Sequence, residues 1–158
     1  MNHISAKMLK NIGLFGDEGV GKTAILRRLL NRDFNEEYEA TIGCEVIPFE
    51  SDTAIWDFAG QEKYDALHKK NIKQLTSAIL VFDITSERSY KQLEFWYNFV
   101  REKYGDIPIH IVGNKVDIED RKVKADMISF HREKSLNYIE VSAKTGFNIE
   151  QLLLIVKN

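Results

Sequence analysis

The residues with the clearest chemical potential are Gly16-Asp17-Glu18-Gly19-Val20-Gly21-Lys22-Thr23. They fit the spacing G-x-x-x-x-G-K-[ST] of a loop that cradles phosphate. The glycines let the backbone curl until several N–H groups point inward. A helix beginning at the end of the loop adds its partial positive charge. Lys22 supplies a mobile cation for β- and γ-phosphates, and the Thr23 hydroxyl can ligate Mg²⁺. The contacting set is therefore expected to be Asp17, Glu18, Gly19, Val20, Gly21, Lys22, Thr23 and Ala24. The setting agrees with this reading. Leu9–Phe15 is strand-like and apolar, and Thr23–Asn31 has helical apolar spacing at Ile25, Leu26, Leu29 and Leu30.

Three further loops carry residues of matching chemistry. Asp57-Phe58-Ala59-Gly60-Gln61 ends a short apolar strand. Asp57 can hold Mg²⁺ opposite Thr23, Gly60 can offer its N–H to a γ-phosphate, and Gln61 can orient an attacking water. Asn114-Lys115-Val116-Asp117 follows another apolar strand. A carboxylate such as Asp117 can accept from two adjacent N–H donors of guanine, whereas adenine presents a different pattern. Asn114 can tie neighbouring loops together, and the Lys115 stem can lie over the base. Ser142-Ala143-Lys144 can offer the Ala143 N–H to guanine O6. Taken singly, each of these is also what a solvated turn looks like. Thr41 could complete a Mg²⁺ shell once a γ-phosphate is present. By residue type alone it is simply an exposed loop threonine.

Loops of this kind need a sheet to align them. Apolar runs predict strands at Leu9–Phe15, Cys44–Phe49, Thr53–Asp57, Ala78–Asp83, Pro108–Gly113 and Tyr138–Val141. Cys44–Phe49 and Thr53–Asp57 are joined by a tight turn at Glu50-Ser51-Asp52, so they must be antiparallel. Pro48 suggests an edge strand. Helices are expected over Asp65–Gln74, Ser86–Tyr104, Lys124–Lys134 and Ile149–Val156, with Leu93, Trp96, Tyr97 and Val100 on one face of the second. Arg32–Ile42 lacks a period and reads as a loop. The alternation implies an α/β P-loop NTPase fold: six strands, mostly parallel, one antiparallel edge strand and helices on both faces. Ligands in such sheets gather at the carboxyl ends of the strands. That rule puts loops 16–23, 57–61, 113–117 and 142–145 on one rim.

Composition is consistent with an ordinary globular chain. The 158 residues are 44% hydrophobic and 29% charged, so one domain spanning 1–158 is expected. A net charge of -2 argues against bulk attraction to nucleic acid or an anionic membrane. One cysteine, Cys44, excludes an internal disulfide and fits a reducing compartment. No spanning run or signal peptide is visible. Asn2 and the final Ile155-Val156-Lys157-Asn158 offer no lipidation site, so a monomer in the cytoplasm or nucleus is expected.

With these motifs placed, the chain resembles a Ras-superfamily small GTPase over nearly its whole length. Within the superfamily it is most similar to the Ran nuclear-transport branch. The stretches that carry this are Tyr38–Val46, Trp56–Tyr64, Phe82–Ser86 and, above all, Gly113-Asn114-Lys115-Val116-Asp117-Ile118-Glu119-Asp120-Arg121-Lys122-Val123-Lys124-Ala125. The resemblance implies that Thr41 is a Mg²⁺ ligand, that Phe34 meets guanine edge-on, and that Tyr38 caps the γ-phosphate. It also implies that 32–43 and 59–74 are the two nucleotide-sensitive switches. Five departures stand out. Glu18 replaces a glycine, Phe58 replaces a threonine, and the 44–57 hairpin is short. His131-Arg132-Glu133-Lys134 reverses one charge of a basic patch, and the branch's acidic C-terminal tail has no counterpart in these residues.

The expected function is a Mg²⁺-dependent switch that binds GTP or GDP and hydrolyses GTP slowly, with Gln61, Lys22 and Thr41 as catalytic residues. Expected partners are an exchange factor, a GTPase-activating protein and an effector such as an importin-β-type receptor. Two alternatives stand beside it. One is a Rab-like trafficking GTPase. The other is a GTP-dependent binding module in which the Glu18 carboxylate repels the γ-phosphate.

Overall fold

The computed structural model describes residues 10–30, 44–49, 52–58 and 74–157. Expectations for Phe34, Tyr38, Thr41, Gly60 and Gln61 lie outside the described residues, as does the helix near 65–74 apart from Gln74, which is not helical.

The described strands are β1 (Lys10–Phe15), β2 (Cys44–Phe49), β3 (Thr53–Phe58), β4 (Ser77–Asp83), β5 (Ile109–Asn114) and β6 (Asn137–Glu140). They form one six-stranded sheet in the order β2-β3-β1-β4-β5-β6. Only the β2–β3 pair is antiparallel. Pro48 sits opposite Ala54 on β2, the outermost strand, where a missing N–H breaks no inner ladder.

The helices follow as α1 (Lys22–Leu29), α2 (Glu87–Lys91), α3 (Leu93–Tyr104), α4 (Phe130–Glu133) and α5 (Ile149–Lys157). Strand alternation builds two apolar layers, one on each face of the sheet. Along β4, Ala78, Leu80 and Phe82 join the layer under α3, while Ile79 and Val81 join the layer under α1 and α5. A fully apolar strand is therefore what a central strand between two layers requires. Phe58 belongs to the first layer. It is 1% exposed and stacks on Phe15 with ring centroids 4.6 Å apart. A threonine at that position would forfeit this stacking, worth about 1 kcal/mol beyond the buried area.

Two helices expected from the sequence are corrected. Ser86–Tyr104 is not one helix but two, parted at Gln92. Ser86 caps the first, its hydroxyl oxygen accepting from the Ser89 N–H at 3.1 Å. On α3 the buried face is Leu93, Trp96, Phe99 and Val100, while Tyr97 is only half-buried. Lys124–Lys134 is likewise not a continuous helix. A 3₁₀ turn at Ala125–Met127 gives way to extended backbone at Ile128 before α4 begins. The reason is a competing acceptor. The Tyr90 hydroxyl takes hydrogen bonds from the N–H groups of Ser129 (2.9 Å) and Phe130 (3.0 Å), while Val123, Ile128 and Phe130 all reach the core.

Two histidines pack on the β5–β6 side of the fold. His131 stacks on Tyr138 at 4.7 Å, and its buried Nδ1 has no hydrogen-bond partner among the described residues. Burial, then the Arg132 charge, lowers its pKa. His110, on β5, is lowered by burial. The unfolded chain binds these protons near the ordinary imidazole pKa of about 6.5, and the folded chain only at lower pH. Their contribution is therefore present above that pH and lost below it. Thermal melting followed by circular dichroism should show Tm falling as pH drops from about 7.5 to 5, and His131→Phe should flatten that slope.

Candidate functional site

The first sheet-edge loop begins where β1 ends. Gly16, Gly19 and Gly21 have φ of 153°, 84° and 98°. At Gly21 a side chain would be strained by its positive φ and would collide with Asn114 Nδ2, so only glycine fits. The loop curls back on itself, and the Lys22 ammonium donates to the carbonyls of Gly16 (2.8 Å) and Asp17 (3.2 Å). Lys22 is 6% exposed. Its buried cation is thus held over the loop at the start of α1, where an anion can reach both charge and helix dipole.

Asp57, the last residue but one of β3, lies beside Leu14 of β1 and is fully buried. The Thr23 hydroxyl donates to its Oδ2 at 2.9 Å. A hydroxyl and a carboxylate at this separation are hard oxygen donors, the set that suits Mg²⁺ beside phosphate. Among the described residues no cluster of three His, Cys, Asp or Glu side chains could hold a metal alone.

Asp17 accepts from Trp96 Nε1 at 3.4 Å and lies 3.9 Å from Arg88 Nε, which fastens the loop to α3 and α2. Glu18 is exposed and lines an open cleft of about 290 Å³ with Asp83, Ser86, Arg88 and Ser89.

The other end of the rim is built from β5, β6 and the loops that follow them. Asn114 closes β5 and is 2% exposed. Its Nδ2 donates to the Val20 carbonyl at 3.0 Å, and its Oδ1 accepts from the Ala143 N–H at 3.1 Å. One side chain therefore joins the phosphate loop to the loop after β6. Lys115, at φ 71°, donates to the Gly19 carbonyl at 2.8 Å and pairs with Asp83 Oδ2 at 3.0 Å. Its ammonium thus bridges the phosphate-loop backbone and the end of β4. Ser142 donates to Asp117 Oδ1 at 2.7 Å and accepts from the Thr145 N–H at 3.0 Å. The exposed Asp117 carboxylate is thus oriented before any ligand arrives. A base oxygen approaching the Ala143 N–H would meet it already engaged by Asn114 Oδ1.

The structure thus gathers the described candidates, from Asp17 to Ala24 with Asp57, Asn114, Lys115, Asp117 and Ser142 to Lys144, onto the carboxyl ends of β1, β3, β5 and β6. Five supporting residues carry no functional motif in the sequence: Asp83, Arg121, Tyr138, Glu140 and Arg28. Asp83 ends β4 on the same rim, and its strand-end position was a readable signal. Besides Lys115, it accepts from the Thr85 N–H at 2.8 Å. Arg121 pairs with Glu140 through two contacts, 3.3 and 2.7 Å, and Glu140 also accepts from the Tyr138 hydroxyl at 2.5 Å. The Arg121 bond holds the Glu140 carboxyl below the usual range, and burial with Glu140 nearby pushes the Tyr138 phenol up. This cluster ties the 114–123 segment to β6. Arg28 donates through Nε to the Ala143 carbonyl at 2.6 Å and through Nη2 to the Lys144 carbonyl. Its partner lies 115 residues away, so nothing local in the sequence announced it.

A mostly parallel sheet whose first loop has the form of a phosphate cradle, with a Thr–Asp pair at one end of the rim and an oriented aspartate at the other, has the architecture of a P-loop protein. A family model described as the Ras family matches residues 11–158, and the chain belongs to that family. The fold is therefore that of a Ras-family P-loop GTPase, and the chain is a GTP-binding switch protein. Proteins of this family bind GTP and GDP with Mg²⁺ and work with exchange factors, activating proteins and effectors. No described helix is long and apolar enough to cross a membrane.

Asn114→Ala should expose how much rests on one amide. It strands a buried carbonyl acceptor and removes a brace from the Ala143 loop. Each such loss costs about 1–3 kcal/mol, so fluorescent-GDP titration should show affinity down about 10- to 100-fold. An affinity within about twofold of wild type would remove Asn114 from this role.

Proposed function

We propose that residues 1–158 form a single GTPase domain that hydrolyses GTP to GDP and phosphate and acts as a Ran-like switch in nucleocytoplasmic transport. The observation that carries the nucleotide reading is the pair of hydrogen bonds by which Asn114 donates to the Val20 carbonyl and accepts from the Ala143 N–H. It couples a phosphate end to a base end within one buried contact.

In this reading Gly19, Val20, Gly21 and Ala24 offer backbone N–H groups to the phosphates, and Lys22 exchanges its carbonyl partners for phosphate oxygens. Asp117 accepts from the guanine ring N–H and exocyclic amine, the Ala143 N–H meets O6 while shared with Asn114 Oδ1, and Lys115 lies along the base. Phe34 contacts the base edge, and Tyr38 covers the γ-phosphate. Thr23, Asp57 and, in the GTP state, Thr41 hold Mg²⁺, which when bound offsets phosphate charge. Gln61 orients the attacking water, and the Gly60 N–H and Thr41 sense the γ-phosphate, so loss of phosphate releases the 32–43 and 59–74 segments. A slow intrinsic rate, raised by a regulator that adds positive charge at the transferring phosphate, belongs to this reading.

Two hydrolysis measurements test this under single turnover. Gln61→Leu should slow the reaction about 10- to 100-fold, because a misplaced water loses its alignment with the phosphorus. An unchanged rate would remove Gln61 from the mechanism. Glu18→Gly should leave the rate almost unaltered, since the exposed Glu18 lines a cleft that also holds Arg88. A large gain would instead support the binding-module reading.

The Ran-like role is supported by the sequence detail of Gly113–Ala125, and a Rab-like trafficking role by the phosphate loop. Pull-down with GTP- and GDP-loaded protein separates them. GTP-dependent capture of an importin-β-type receptor is expected, and capture of vesicle-tethering factors would defeat the transport role.

A further inference from the structure

We propose that Asp83, at the end of β4, is a positioning residue that slows release of the bound nucleotide by holding the Lys115 ammonium on the phosphate loop. The inference rests on the nucleotide site proposed above and adds to it a carboxylate that none of its motifs contains.

Asp83 is placed by its strand and by the turn that follows. It pairs in register with Asn114 on β5, so its neighbour across the ladder is the residue just before Lys115. Its N–H donates to Ser89 Oγ at 2.9 Å, and its carbonyl accepts from the Ser86 N–H at 2.9 Å. The carboxylate is fixed as well. Its Oδ1 accepts from the Thr85 N–H at 2.8 Å and from the Thr85 hydroxyl at 2.6 Å. Its Oδ2 lies 3.0 Å from the Lys115 ammonium. The Asp83 side chain is 9% exposed and that of Lys115 34%, so water and salt screen this pair less than one on the open surface. The acid is the rigid partner, and the lysine, on its flexible stem, is the one that is held.

The ammonium's other bond reaches the Gly19 carbonyl at 2.8 Å. Gly19 has φ of 84°, and a Cβ there would meet nothing within 4 Å among the described residues. Packing therefore does not fix this peptide, and glycine leaves it free to turn. Hydrogen bonds fix it instead. From inside the loop, the Val20 N–H on the same peptide reaches the Asp17 carbonyl at 3.4 Å, which is long for such a bond. From outside, Lys115 supplies a shorter, charge-assisted bond. Asp83 thus anchors the stronger of these two ties. The next carbonyl, that of Val20, is held by Asn114, whose short amide is buried and stays in place unaided. The Lys115 ammonium keeps its place through Asp83. A loop with the Gly19 carbonyl released samples more shapes, so a nucleotide bound in it leaves sooner.

Nucleotide release tests this. The whole chain is loaded with a fluorescent GDP in Mg²⁺ buffer and chased with excess unlabelled GDP. Asp83→Ala should speed release about tenfold, the weight of one charge-assisted bond. Asp83→Asn, which keeps an oxygen acceptor, should fall between. Lys115→Ala should speed release at least as much as Asp83→Ala. Adding Asp83→Ala to Lys115→Ala should then change the rate by less than about twofold, because the carboxylate has nothing left to hold. A carboxylate that only braced its own turn would speed release by the same factor in both backgrounds. That result overturns the proposal, as does release from Asp83→Ala within about twofold of wild type. Thermal melting checks each variant, and if Asp83→Ala does not fold, Asp83→Asn carries the same cycle. A wild type that retains no GDP would remove the nucleotide site itself, and the proposal with it.

Discussion

The buried amide of Asn114 is the point where the two ends of the rim meet. It is almost fully enclosed, so its donor and its acceptor each need a partner, and each partner belongs to a different loop. The Val20 carbonyl fixes the phosphate loop, and the Ala143 N–H fixes the loop after β6. The glycine at position 21 exists in the same context, since any side chain there would occupy the space of the Asn114 amide. A buried polar group of this kind adds modestly to stability when satisfied and costs heavily when not, so it specifies one arrangement of the loops.

Charge is handled in the same way throughout the site. Lys22 is buried yet bonded to two carbonyls, Lys115 spans Gly19 and Asp83, and the Asp57 carboxylate takes the Thr23 hydroxyl. Each of these contacts is one that phosphate, base or metal would replace or extend. The polar groups of the rim are thus each held by a protein partner. The sheet makes this possible. Parallel strands deliver their carboxyl ends to one edge, and the apolar layers on both faces leave that edge as the place where polar side chains collect.

Much of this was legible before the structure. The six strands, their mixed direction and the edge position of β2 follow from apolar runs, a short connection and Pro48. The phosphate loop and the Asn114 and Asp117 loop are local patterns, whose spacing is set by what a phosphate or a purine requires. Less legible were the helices of the middle segment. Residues 124–134 have helical composition, but the Tyr90 hydroxyl claims two of the N–H groups that a helix would use. Phe58 looked like a substitution within a motif, yet it is a core residue stacked on Phe15.

The sequence by itself determined the chemistry available, namely a glycine-rich cradle with its lysine and threonine, and carboxylates at the ends of strands. Those are properties of residue type and short-range spacing. Only the tertiary structure decided how they are held. The Arg28 fork on the Ala143 loop, the Arg121–Glu140 pair and the Lys115–Asp83 pair join segments distant in the chain, and such pairings leave no periodic or local trace. They arise because a parallel sheet brings the ends of nonadjacent strands within hydrogen-bond reach.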